Sequence, residues 1–155
     1  MVSGVVSSTS RAAAAKRPGG TRASSKPAAS KAVASGAWVP ERQDVIWIDC
    51  NLQAGGEMRD LHPMLVLSPG SFNARTGLVI GLPMTTAAYN ATNPFALAVG
   101  AATGRKTGKT SYVLCHQPKS FDWRGRGAKP HRHGKLADAA FAKACAVLNQ
   151  IISIE

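Results

Sequence analysis

Five short apolar runs, of five or six residues each, constrain what this chain can fold into: DVIWID (44–49), MLVLS (64–68), LVIGLP (78–83), PFALAV (94–99) and SYVLCH (111–116). Each is closed off by glycine, proline or polar residues, the pattern of a strand. From Leu136 the period changes. Leu136, Ala140, Phe141, Ala144, Val147, Leu148 and Ile151 recur at three- and four-residue spacing, which places them on one face of a helix. A series of strands with one helix at the end does not make alternating βαβ units. The expected fold is mainly β within the α+β class: a small antiparallel barrel with a C-terminal helix.

The connections differ in character. Residues 51–63 hold glycines, charges and a proline without a period, a long loop of the kind that often carries function. Residues 69–77 read as a turn or one helical turn ending at Gly77. Pro83 suggests an edge strand or a strand end. MTTAAYNATN (84–93) is polar loop, and GAATGRKTGKT (100–110) is a basic, Gly-rich connection. There is no internal repeat.

Charge separates the chain into two parts. Of its 155 residues, 1–40 contain Arg11, Lys16, Arg17, Arg22, Lys26 and Lys31, no acid, and otherwise mostly Ala, Ser, Gly, Pro and Thr. That composition buries too little apolar surface to offset the entropy of ordering, so 1–40 is expected to be a disordered basic tail. It shares its acid-free Arg/Ser/Ala character with organellar transit peptides, but reads better as a floppy extension. The folded domain is then 41–155. It retains 13 basic residues against eight acids, a net +5 of the total +11. Such a surface attracts polyanions, nucleic acid among them. Cys50, Cys115 and Cys145 are scattered, with no CxxC pair, which suits reduced thiols in a cytoplasmic protein. No apolar run is long enough to span a membrane.

No P-loop, GxGxxG or GxSxG motif is present. HRH (131–133) supplies two imidazoles in a Gly/Pro/Lys-rich segment, where an exposed loop is the more economical reading than a metal site. What remains are polar residues at strand ends: Glu57 and His62 in the first long loop, Thr85 and Thr86 after the third run, His116 and Gln117 after the fifth. Trp123, Arg124 and Arg126 follow. Each has an ordinary explanation in capping, turns, core or solvated surface. A small barrel, however, brings several such positions to one rim.

Read together, DVIWIDCNLQAGGE, HPMLVLSPGSFNARTGLVIGLPMTT, NPFALAV and VLCHQPKSFDWRGRG resemble the PemK/MazF family of type II toxin endoribonucleases, from about Gln43 to Gly127 and with the closing helix in the family's place. The resemblance implies an SH3-like barrel, usually a homodimer, cleaving single-stranded RNA without a metal or other cofactor. It also implies a small MazE/PemI-like antitoxin covering the active groove. The family's Gly-x-Glu is matched by Gly55-Gly56-Glu57, and its threonine after the third strand by Thr85. Its Arg-Pro before the second strand is His62-Pro63 here, with Arg59 nearby but at a different spacing. Where the PemK branch has an Arg and an Asp ahead of Gln-Pro, this chain has Leu114 and His116 ahead of Gln117-Pro118.

Cleavage by the RNA's own 2′-hydroxyl needs a base for that proton, an acid for the 5′-oxygen and a donor for the phosphorane. Imidazole serves as acid or base near neutrality, whereas arginine holds its proton too tightly. His62 and His116 are therefore expected to form the acid–base pair, with Thr85 donating to phosphate and Glu57 orienting a histidine or the 2′-hydroxyl. Arg59, Gln117, Lys119, Arg124 and Arg126 are expected to contact RNA, and Trp123 to stack a base. Two other readings use the same fold: a CcdB-like toxin that binds DNA gyrase and cuts nothing, and an RNA-binding module without catalysis.

Overall fold

A computed structural model of the protein describes residues 38–52, 54–101 and 108–153. The tail expected over 1–40 lies outside these, apart from its last three residues, as do residues 102–107 of the Gly-rich connection. Among the described residues, seven strands form one antiparallel sheet: β1 (Asp44–Asp49), β2 (Leu61–Val66), β3 (Leu78–Thr85), β4 (Ala96–Ala101), β5 (Thr110–Leu114), β6 (Lys119–Asp122) and β7 (Lys129–Lys135). Their order is β4-β5-β3-β2-β1-β7, with β6 also on β3, a curled half-barrel. A short helix α1 (Gly70–Thr76) leads into β3, and α2 (Asp138–Ile152) closes the chain. The mainly β class with a C-terminal helix is as expected. No described helix is long and apolar enough to cross a membrane.

The sheet has an apolar layer on each face because its side chains alternate. On one face, Val45, Leu65, Leu82, Met84, Val113 and Cys115 meet Leu136, Ala144 and Leu148, with Ala140, Phe141 and Val147 partly buried alongside. This is the helical face anticipated from the spacing, except that Ile151 stays exposed and Leu136 precedes the helix. Gln43 sets that junction: its Nε2 donates to the Leu136 carbonyl at 2.7 Å and to Asp138 Oδ1 at 2.6 Å. On the other face, Ile46, Ile48, Met64, Val66, Val79, Phe121 and Trp123 form the second layer.

Two strands were not foreseen. β6 (KSFD) and β7 (KPHRHGK) lack apolar alternation, because β6 buries only Phe121 and β7 is an edge strand that tolerates charge. HRH therefore lies in a strand rather than a loop. His131 packs on Trp47 with ring centroids 4.7 Å apart, and its Nδ1 accepts the His133 backbone N–H at 3.0 Å. Pro83 also departs from expectation, sitting within the central strand. One side of β3 pairs with β6 through Gly81 and with β5 from Met84 onward. Pro83 falls in the gap between these partners, where no ladder donor is required.

Asn73, on α1, is fully buried and organises the second layer. Its Nδ2 donates to the carbonyls of Pro40 (2.7 Å) and Ser68 (3.2 Å), and its Oδ1 accepts from Ser68 Oγ at 2.5 Å. Its own carbonyl receives Trp123 Nε1–H at 3.0 Å. Trp38 meets Trp123 edge to face, at 5.9 Å.

Glu41 receives the Gly70 N–H at 2.7 Å, at the start of α1, and the Arg42 N–H at 2.7 Å. These donors, Gly70 first, hold its carboxyl below the usual glutamate range. A depressed folded-state pKa gives stability that is present above the unfolded value and lost as pH falls through the folded one. Glu41→Gln should therefore melt below the wild type at neutral pH, and the gap should close on acidification. A gap unchanged from neutral to acid pH would show that the carboxylate charge contributes nothing.

Candidate active site

Strand register decides which polar residues share a face. Residues opposite one another in an antiparallel ladder project to the same side, as do residues two apart along a strand. His62 lies opposite Ile48, Pro83 opposite Met64, Thr85 opposite Tyr112, and Lys119 opposite Gly81. His62, Pro83, Thr85, Leu114 and Lys119 thus continue the face that buries Ile48, Met64 and Phe121. One end of that face is apolar core and the other is polar. Gly81 permits the sheet to close here, since a Cβ would collide with the Leu65 carbonyl and the Met64 side chain.

At the polar end, Gly56, Glu57, His116, Gln117, Pro118 and Lys119 line a cleft of about 330 Å³. Two stretches build it. The long loop between β1 and β2 brings Glu57, and the tight turn after β5 brings His116 and Gln117. Lys119 Nζ meets Glu57 Oε2 at 2.6 Å. That hydrogen-bonded ammonium holds the Glu57 carboxyl below its usual range, so it is ionised at neutral pH. Among the described residues, His116 Nδ1 and Gln117 Oε1 are buried and have no hydrogen-bond partner. Their other ends meet each other, with Gln117 Nε2 3.4 Å from His116 Nε2.

His62 and Thr85 are not in the cleft wall but stand on the same face. His62 Nδ1 lies 3.3 Å from the Met84 carbonyl, next to Thr85. In the tautomer that donates this bond, Nε2 is the basic nitrogen. Thr85 Oγ1 accepts the Ala87 N–H at 3.2 Å, which leaves its own proton for an acceptor. Thr85 lies opposite Tyr112, and His116 follows four residues further on, in the turn past the end of β5 at Leu114.

The basic and aromatic residues divide. Trp123 is buried among core residues with its indole N–H bonded to Asn73, so it is no stacking platform. Arg126 is committed to structure: its Nη1 donates to the Asp49 (2.8 Å) and Asn51 (3.0 Å) carbonyls while the guanidinium lies over the Phe121 ring. It ties the base of the β1–β2 loop, and hence Glu57, to the turn before β7. Arg124 lies over Trp123 and donates to the Ala74 carbonyl, yet remains exposed. Arg59 is exposed, with a long 3.4 Å contact to the Gly55 carbonyl.

Phe95 went unnoticed in the sequence. It is 45% exposed and its ring centroid lies 6.2 Å from that of His116. The available clue was an aromatic directly after the Asn93-Pro94 turn, masked because it opened an apolar run. The buried thiols are not poised as nucleophiles: burial pushes Cys115 up to about 11 and raises Cys50 as well.

The sequence model of PemK-like, MazF-like toxins of type II toxin–antitoxin systems matches residues 41–152. Among individual relatives, the endoribonuclease toxin MazF of Escherichia coli K12 is 34% identical over 91 residues, covering 59% of this chain and 76% of its own length. Endoribonuclease PemK of Escherichia coli is 31% identical over 90 residues, covering 57% of this chain and 65% of its own. The structure of MazF from Deinococcus radiodurans superposes with a TM-score of 0.66 at 29% identity, over 76% of this chain and all of that one. A MazE–MazF structure from the same organism superposes with a TM-score of 0.62 at 28% identity, over 77% of this chain and all of that one.

Proposed function

The chain belongs to the PemK-like, MazF-like toxins of type II toxin–antitoxin systems, and from that premise we propose that it is an endoribonuclease that cuts single-stranded RNA by attack of the RNA's own 2′-hydroxyl. The observation that carries this reading is the cleft itself: an ionised carboxylate, an ammonium and an imidazole with an unpartnered buried nitrogen, gathered on one face with a second imidazole and a threonine hydroxyl.

The roles follow from chemistry. One histidine takes the 2′-hydroxyl proton as O2′ bonds to phosphorus. The other, protonated, gives a proton to O5′ as the P–O5′ bond breaks. The products are a 2′,3′-cyclic phosphate and a 5′-hydroxyl. We assign the acid to His116, inside the cleft, and the base to His62, across β3. Thr85 donates to a phosphate oxygen, where negative charge accumulates. Phe95 replaces Trp123 as the surface on which a base stacks. Gln117 reads a base edge through its amide, and Arg59 and Arg124 contact flanking phosphates.

A small antitoxin covering this groove is the expected partner, and a MazE–MazF structure is among those this chain resembles. Leu78 and Ile80, 40% and 39% exposed on β3, offer apolar surface for a homodimer. The free thiols Cys50, Cys115 and Cys145 suit the cytoplasm.

Incubating the purified protein with mixed RNA, with and without EDTA, tests the function. Cuts with 5′-hydroxyl ends in both conditions are expected. Inhibition of DNA gyrase without cuts would favour the CcdB-like reading, and steeply salt-dependent binding without cuts would favour an RNA-binding module.

A further inference from the structure

Lys119 is the one cationic side chain lining the cleft among the described residues, and its charge is already answered by Glu57. The pair joins the first residue of β6 to an exposed loop. The Lys119 side chain is 15% exposed and that of Glu57 48%. The Glu57 end of the pair is reached by water, and an ion pair open to water is readily exchanged for another anion. Glu57 follows Gly55 and Gly56, around which no neighbouring atom crowds the loop. Beside the pair, His116 Nδ1 and Gln117 Oε1 have no partner among the described residues, while Gln117 Nε2 lies 3.4 Å from His116 Nε2.

An RNA strand brings two chemistries at a fixed separation. Its phosphate is an anion that suits the point charge of an ammonium. Its ribose 2′-hydroxyl is a donor, and an ionised carboxylate can only accept. Resting on the ribonuclease reading, we propose that Glu57 and Lys119 are an exchangeable pair: an RNA phosphate replaces Glu57 on Lys119, and the freed carboxylate accepts a hydrogen bond from the neighbouring ribose 2′-hydroxyl. Phosphate binding and the choice of RNA over DNA are then one event. Glu57 opposes bare phosphate binding, and only a strand with a 2′-hydroxyl compensates it.

The test uses the full chain carrying His62→Ala and His116→Ala, to silence cleavage, and oligonucleotides of one sequence in ribose and in deoxyribose form. Adding Glu57→Ala should tighten deoxy binding several-fold and abolish the preference for ribose. Adding Lys119→Met should weaken both by about tenfold, the scale of one hydrogen bond to a charged group. It should also lower the salt slope by about 0.7, the share of one phosphate contact on a single strand. Lys119→Arg should restore affinity, which separates a lost contact from a lost fold. Deoxy binding that is weaker or unchanged in Glu57→Ala, a ribose preference that survives it, or a Lys119→Met slope equal to the parent would each overturn the proposal. Cleavage by the unmodified protein is scored separately. No cuts together with the expected binding pattern would sink the ribonuclease reading and leave the exchange standing.

Discussion

The variant His62→Ala, His116→Ala should cut RNA at least about 10³-fold more slowly than the wild type while melting at nearly the same temperature. General acid–base groups each contribute about 10²–10⁴-fold, and paired groups are not additive, so the double variant loses less than the product of the single ones. Stability should be spared because neither imidazole is core. His62 is half-buried with a 3.3 Å contact to a carbonyl, and His116 is half-buried beside Gln117 and Phe95. The wild type should show a bell-shaped pH–rate profile, since one histidine must be neutral and the other protonated. Cleavage that persists in the double variant would eliminate the two-histidine mechanism. Glu57 and Lys119 would then carry the proton and charge steps by themselves.

Replacing Asn73 with alanine should destabilise the domain by about 3 kcal/mol, since several buried polar groups lose partners at about 1–3 kcal/mol each. The affected groups are the Pro40 and Ser68 carbonyls and the Ser68 hydroxyl. In a domain of this size the melting temperature should fall on the order of 10 °C. Asn73→Asp should also destabilise, because it keeps the shape but cannot donate to the two carbonyls and buries a charge. A loss under about 1 kcal/mol for both variants, measured by urea unfolding, would mean that water replaces the network. The effect reaches the cleft as well. The Asn73 carbonyl seats Trp123, Trp123 anchors the turn carrying Arg126, and Arg126 holds the loop that presents Glu57.

Local patterns were legible where burial is regular. DVIWID corresponds to β1 residue for residue, and LVIGLP lies within β3. The helix face from Ala140 to Leu148 packs as its spacing requires. β2 begins earlier than the apolar run MLVLS, at Leu61, so His62 sits in a strand rather than a loop. β5 ends at Leu114, and His116 is delivered by a turn rather than by the strand itself. β6 and β7 escaped notice because a short strand burying one side chain, and an edge strand facing water, leave no period to read.

By itself the sequence determined the class of fold, the order of its more apolar elements and a short set of polar candidates, because those depend on local periodicity and residue type. Only the tertiary structure decided which of them are available. It put Trp123 into the core, committed Arg126 to two loop carbonyls, set Lys119 against Glu57, and placed Phe95 beside His116. Glu57 and Lys119 are 62 residues apart, and Arg126 and Asp49 are 77 apart. Contacts over such separations come from strand register and loop closure, and neither leaves a mark on the residues flanking each partner.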